Sequence, residues 1–241
     1  MEDPKELNLL PKTIVTNVIK SLVILAKYLG RYNEFKEKLN NYGIKCTRQD
    51  GFKSFLRILN TNNNNGHNVL SWIREVRPFL SRSENTFLKF CLYTGLRKSE
   101  AVTSFNKIIA LNNNDQLSEY YDSNMNCLLH FKYLEEFLRR TKNCFISFIP
   151  EELINEICRC KPVYYRTLRR HLKRNNFRCR INELRDFYGT YLLQHGILEV
   201  EINLLQGRIP PSIFVKHYWT PKLTELRDRV FEALKQLQQS L

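Results

Sequence analysis

No uninterrupted apolar run approaches the ~18 residues that a membrane-spanning helix needs. The first residues, Met1-Glu2-Asp3-Pro4-Lys5, carry no basic patch followed by an apolar stretch, so no secretory leader is expected and the protein is expected to work in the cytoplasm. Paired cysteines with two residues between them are missing too. The seven Cys are odd in number and set mostly among apolar neighbours, which reads as reduced buried thiols rather than a disulfide frame. Cys158, Cys160, His171 and Cys179 fit no common zinc spacing, so no metal is expected. Acidic residues are scarce: 24 Asp and Glu stand against 38 Lys and Arg, a formal charge of +14. That excess makes a compact chain repel itself unless something anionic is bound. Nucleic acid is the first candidate, ahead of an anionic membrane surface, because no helix pairs a large apolar face with a strongly basic one.

What is present is mostly helical periodicity. Ile14, Val18, Leu22, Leu25 and Leu29 recur at helical spacing between Pro11 and Gly30, a second helix is expected near Glu34–Asn41, and a third spans about Gly51–Leu59. Residues 1–62 then form a small helical domain with a mainly positive surface. The run from Thr61 to Asn68 has no apolar residue and a turn composition, which marks a linker at 63–68. The second domain, 69–241, is expected to be helical except for a short antiparallel sheet from Cys127–Tyr133, Phe137–Arg140 and Cys144–Ile149. The fold class is therefore mainly α with a small antiparallel β-sheet.

Charge gathers in two places of this second domain. Arg139-Arg140-Thr141-Lys142 lies at the tip or edge of the sheet, where it either reaches into a groove or blocks stray strand pairing. The helix Tyr164–Arg174 turns Leu168 and Leu172 inward and covers the rest with Arg166, Arg169, Arg170, Lys173 and Arg174, which, with Arg140, are the candidate DNA contacts. Thr220 and Pro221 are expected to start a last helix whose stripe, Leu223, Leu226, Val230, Leu234, Leu237 and Leu241, either packs at home or docks on a neighbouring subunit.

Three separated stretches complete the pattern. Arg97 follows the break at Gly95, at a helix start whose free N–H groups favour an anion. Arg185 lies in the first turn of another helix. Arg208 follows the helix stop Gly207, and Tyr218 stands ten residues beyond it. Guanidinium groups bind phosphate through two N–H groups at once, and a phenol among cations can be deprotonated well below its usual pKa of about 10 to attack phosphorus.

Leu92-Tyr93-Thr94-Gly95-Leu96-Arg97-Lys98-Ser99-Glu100 resembles the first Arg box of the tyrosine recombinases, the phage-integrase family. Asn182-Glu183-Leu184-Arg185 with Gly189-Thr190-Tyr191-Leu192 resembles the second box, and Leu204-Leu205-Gln206-Gly207-Arg208 through Tyr218 the segment that carries the nucleophile. The wording is most similar to integrases and transposases of archaeal viruses, plasmids and mobile elements, which would place the protein in a host cytoplasm. The resemblance implies a DNA recombinase acting on double-stranded DNA through a 3′-phosphotyrosyl link. Tyr218 would be the nucleophile, Arg97, Arg185 and Arg208 would hold the phosphate, and Lys142 would protonate the leaving 5′-oxygen. No cofactor would be needed. Assembly on DNA as a dimer or tetramer, through the last helix, is the implied state. The sequence departs from the family at Asn182, where His or Lys is usual, at Asp186, where His is usual, and at Arg208, where His or Trp is usual. An amide cannot take the Tyr proton, so a DNA-binding protein of impaired catalysis is one alternative. Relaxation of supercoils in the manner of a type IB topoisomerase is another. His217 adjoins Tyr218, but neighbours on a helix point apart; Glu100 is placed to brace Arg97 rather than to react.

Overall fold

The computed structural model describes residues 12–44, 65–139, 142–208 and 217–239. The chain divides into two compact units, Met1–Thr61 and Asn62–Leu241.

In the first unit, α1 (Lys12–Tyr28) and α2 (Tyr32–Asn41) pack as a helical hairpin around Ile19 and Leu39, with Val15, Val18, Val23 and Phe35 beside them. The inward stripe differs from the expected one. Ile14, Leu25 and Leu29 are exposed, and Ile19 and Ala26 are buried instead. α1 is apolar on two sides, so periodicity alone does not say which side meets α2. The expected helix at 51–59 lies outside the described residues, as do residues 63 and 64 of the expected linker. The following helix, α3 (Asn65–Val76), begins inside that linker.

The second unit is a helical body carrying two small sheets. α4 (Arg82–Thr94) starts on a capping box in which Ser81 and Glu84 exchange bonds, and it ends at Gly95 with φ 58°. A side chain at Gly95 would overlap the ring of Tyr188, so this left-handed stop also lets two helices approach. α5 (Lys98–Asn113) begins directly after Arg97. Phe105 on α5 meets Phe87 and Phe90 of α4 edge to face at 5.4 and 5.8 Å.

Each strand of the sheets is two residues long. β1 (Tyr121–Asp122), β2 (Cys127–Leu128) and β5 (Ser147–Phe148) form an antiparallel sheet in the order β1-β2-β5. A separate hairpin pairs β3 (Leu138–Arg139) with β4 (Lys142–Asn143). The sequence pattern predicts one continuous sheet, and residues 130–137 break it: a single turn at His130–Lys132 and the short helix α6 (Leu134–Phe137) carry His130 and Phe137 into the core. His130 is fully buried. Its Nδ1 is 2.6 Å from the Tyr120 hydroxyl and its Nε2 is 2.9 Å from Ser147 Oγ, while the Tyr120 hydroxyl donates to Ser104 Oγ at 2.9 Å. Burial holds the imidazole down to about pKa 3 and pushes the Tyr120 phenol well up.

α7 (Glu151–Cys158), α8 (Tyr165–Arg174), α9 (Ile181–Gln194), α10 (Glu199–Leu205) and α11 (Leu223–Gln239) follow. α11 starts later than its expected cap at Thr220 and Pro221, because the Leu226 amide bonds back to the Lys222 carbonyl. Most of its stripe is covered by its own unit: Leu226, Val230, Ala233, Leu234 and Leu237 are buried, while Leu223 is exposed and Leu241 lies outside the described residues. Tyr191 donates to the Ala233 carbonyl at 3.1 Å, and Arg229 is paired with Glu201. Each fully buried Leu or Val contributes about 1.5–3 kcal/mol of transfer free energy, so α11 is a fixed part of this body. That corrects the reading of the stripe as a free docking face. The six cysteines among the described residues are free thiols.

Candidate active site

Arg185 is the centre of the site. It is 7% exposed, projecting from the first turn of α9. Nη1 donates to the Gly95 carbonyl at 2.7 Å and Nη2 to the Gln206 carbonyl at 2.7 Å. Gln206 answers through Nε2, which donates to the Arg185 carbonyl at 3.1 Å. One buried side chain thus ties the segment two residues before Arg97 to the segment two residues before Arg208.

Burial lowers the Arg185 pKa to about 10, and the charges of Arg97 and Arg208 push the same way while Glu100 opposes them. Three guanidinium groups therefore lie within electrostatic reach of one another. The Arg185 group still carries its proton at neutral pH, held near like charges at a cost that an anion between them would offset.

Arg97 is held by Glu100 and by the hairpin. Its backbone amide donates to Glu100 Oε2 at 3.0 Å, and its Nη1 donates to Glu100 Oε1 at 2.8 Å and to the Asn143 carbonyl at 3.0 Å. Glu100 is almost wholly buried and also pairs with Arg139 at 3.2 Å. Gly207, with φ 66°, presses on the same Asn143 carbonyl so closely that any Cβ would overlap it. Lys142 precedes Asn143 and is exposed. Arg97, Arg185, Arg208 and the Lys142 hairpin are thus joined around one cationic spot, in which Glu100 is the bracing carboxylate.

Two expected members are not joined to it. Tyr218 is 71% exposed and makes no hydrogen bond to a described residue. Asn182 is exposed, one turn before Arg185 on the same side of α9. Asp186 is exposed as well.

A family model described as archaeal phage integrase matches residues 69–234. The chain belongs to the archaeal phage integrase family. No curated protein and no solved structure matches it. For an integrase, a site that gathers cations and gives them one buried carboxylate accords with handling DNA.

The basic helix of this integrase stands next to the site. Lys98, beside Arg97, lies 4.3 Å over the ring of Tyr165, the first residue of α8. Asn106 on α5 exchanges two bonds with the backbone of Val163 at 2.8 and 3.0 Å, fixing the approach to α8. His171 on α8 pairs with Glu84 at 2.8 Å. Leu168 and Leu172 are buried, and Arg166, Arg169, Arg170, Lys173 and Arg174 are all exposed on the outer side. Arg140 lies outside the described residues. Among the described residues no three of His, Cys, Asp and Glu group to hold a metal ion, and no helix is long and apolar enough to cross a membrane.

Four contributors escape a reading of the sequence: Arg139, Asn143, Gln206 and Gly207. Gly207 stands out there only as a helix stop, and Asn143 acts through its backbone, which no side-chain pattern reveals.

Proposed function

We propose that this integrase is a tyrosine recombinase. The observation that carries the reading is the double bond of Arg185 to the carbonyls of Gly95 and Gln206, which brings the residues around Arg97 and Arg208 to one place. In the proposed reaction the Tyr218 oxygen attacks a DNA phosphorus and the bond to the 5′-oxygen breaks. Arg97, Arg185 and Arg208 offset the charge on the non-bridging oxygens of the transition state. Lys142 delivers a proton to the leaving 5′-oxygen, and the phenol proton passes to water. The bond energy stays in the 3′-phosphotyrosyl link, so a 5′-hydroxyl of a second duplex can reverse the step without a nucleotide cofactor. Joining two duplexes requires at least two protomers, and homo-oligomerisation on double-stranded DNA belongs to this proposal. Residues 1–62 would add a second basic grip on the duplex, in addition to that of α8.

The exposure of Tyr218 favours one second reading, a DNA-binding protein of impaired catalysis. A suicide substrate, nicked so that the 5′-product diffuses away, separates the two. The wild-type protein should leave a covalent adduct on a denaturing gel, and Tyr218→Phe should bind the DNA without forming it. Binding without any adduct from the wild type would instead establish the second reading.

A further inference from the structure

The β3–β4 hairpin has little stability of its own. Its strands are two residues long, and isolated two-stranded ribbons are marginal in water. Arg139 and Lys142 are cross-strand partners in it, and like charges placed directly opposite destabilise a pair. The hairpin is therefore held from outside, and two of its holds lead to the first turn of α5. β4 is held by the Asn143 carbonyl, which accepts from Arg97 Nη1 at 3.0 Å. β3 is held by Arg139, whose Nη2 lies 3.2 Å from Glu100 Oε1 and 3.5 Å from Ser99 Oγ. Glu100 is buried and pairs with two arginines, so removing either partner leaves a buried carboxylate with poorer pairing. Lys142 stands between these two holds and is itself exposed.

We propose that Arg139 is a positioning residue: its bridge to Glu100 latches the hairpin onto α5 and so aims Lys142 at the leaving 5′-oxygen. The inference rests on the recombinase reading, in which Lys142 is the proton donor. Arg139 touches no reacting atom. It fixes the strand opposite Lys142, and it keeps Glu100 in place while Arg97 turns its remaining N–H groups to the phosphate. A misplacement of about 1 Å in a catalytic group lowers a rate on the order of 10²-fold. Loss of the latch is expected to slow cleavage by that order while leaving DNA affinity alone.

The chemistry supplies a specific test. In a substrate whose scissile 5′-oxygen is replaced by sulfur, the phosphorus–sulfur bond breaks to release a thiolate, which leaves without a proton. Single-turnover cleavage at saturating DNA would be measured on the oxygen and sulfur substrates for wild type, Lys142→Ala, Arg139→Ala and Arg139→Lys, with DNA affinity and melting temperature recorded for each. Lys142→Ala should fail on oxygen and recover on sulfur. Arg139→Ala should show the same pattern with a smaller loss on oxygen, unchanged affinity, and partial rescue in Arg139→Lys. If Arg139→Ala is equally slow on both substrates, or changes only affinity, the latch is overturned and Arg139 is a general structural or DNA contact. If Lys142→Ala stays slow on sulfur, Lys142 is not the proton donor and the latch is overturned; if the wild type forms no adduct, the recombinase reading itself falls and takes the latch with it.

Discussion

Arg185 and Gln206 hold each other reciprocally: the guanidinium donates to the Gln206 carbonyl at 2.7 Å, and the Gln206 amide donates to the Arg185 carbonyl at 3.1 Å. Both residues are buried, so neither bond has water as a substitute. A buried polar group left unpaired costs about 1–3 kcal/mol. Gln206→Ala should lose stability within that range, read by chemical denaturation. Arg185→Ala strands two carbonyls and should lose more, together with strand cleavage.

Gly207→Ala should be worse than its size suggests. The left-handed backbone disfavours any side chain, and the added carbon would overlap the Asn143 carbonyl. Relief comes from pushing the hairpin away from the end of α10. Cleavage should fall at least tenfold while duplex binding, measured by fluorescence anisotropy, stays within about threefold. An unaltered cleavage rate would separate this contact from catalysis.

The core histidine sets an acid limit. His130 titrates near pKa 3 in the fold and near 6.5 when unfolded, because burial disfavours its charge. Below pH 6.5 the unfolded chain binds the extra proton and the folded chain does not. The contribution is therefore fully present above pH 6.5 and is lost as pH falls toward 3, at about 1.4 kcal/mol per pH unit. Denaturant melts of wild type and His130→Gln across pH 4–8 check this. The variant should be weaker at pH 7.5 but should show a shallower acid limb.

The outer side of α8 should govern salt dependence. Removing one cation from a phosphate reduces the slope of log K against log salt by about 0.9. Arg169→Ala combined with Arg170→Ala should flatten that slope by roughly 1.8 if both touch phosphate, with melting unchanged because Leu168 and Leu172 keep the helix docked. No change in slope would place the DNA elsewhere.

The helices of the second unit are legible in the sequence mainly through their periodicity. Gly95 as a stop delimits α4 in sequence as in space, whereas the Ser81–Glu84 box that starts it is a finding of the structure. The grouping of Arg97, Arg185 and Arg208 is legible only through the spacing of the family's boxes. No local pattern says that the Gly95 and Gln206 carbonyls meet at one guanidinium. The strands are shorter than their composition suggests, since His130 and Phe137 turn into the core and pack on each other rather than extending the backbone pairing. α1 misleads in the opposite sense, because apolar residues on two sides give a periodicity with no preferred direction.

The docking of α11 also sets a leash. Tyr218 precedes Leu223, the first residue of that helix, by about five positions, and an extended chain covers roughly 3.4 Å per residue. While α11 stays seated through Leu226, Val230 and Leu234, the backbone of Tyr218 can stray no more than about 17 Å from that anchor. On the proposed recombinase reading, any phosphodiester it attacks, on its own half-site or a neighbour's, must come within that radius plus the length of one phenol, or the helix must first let go.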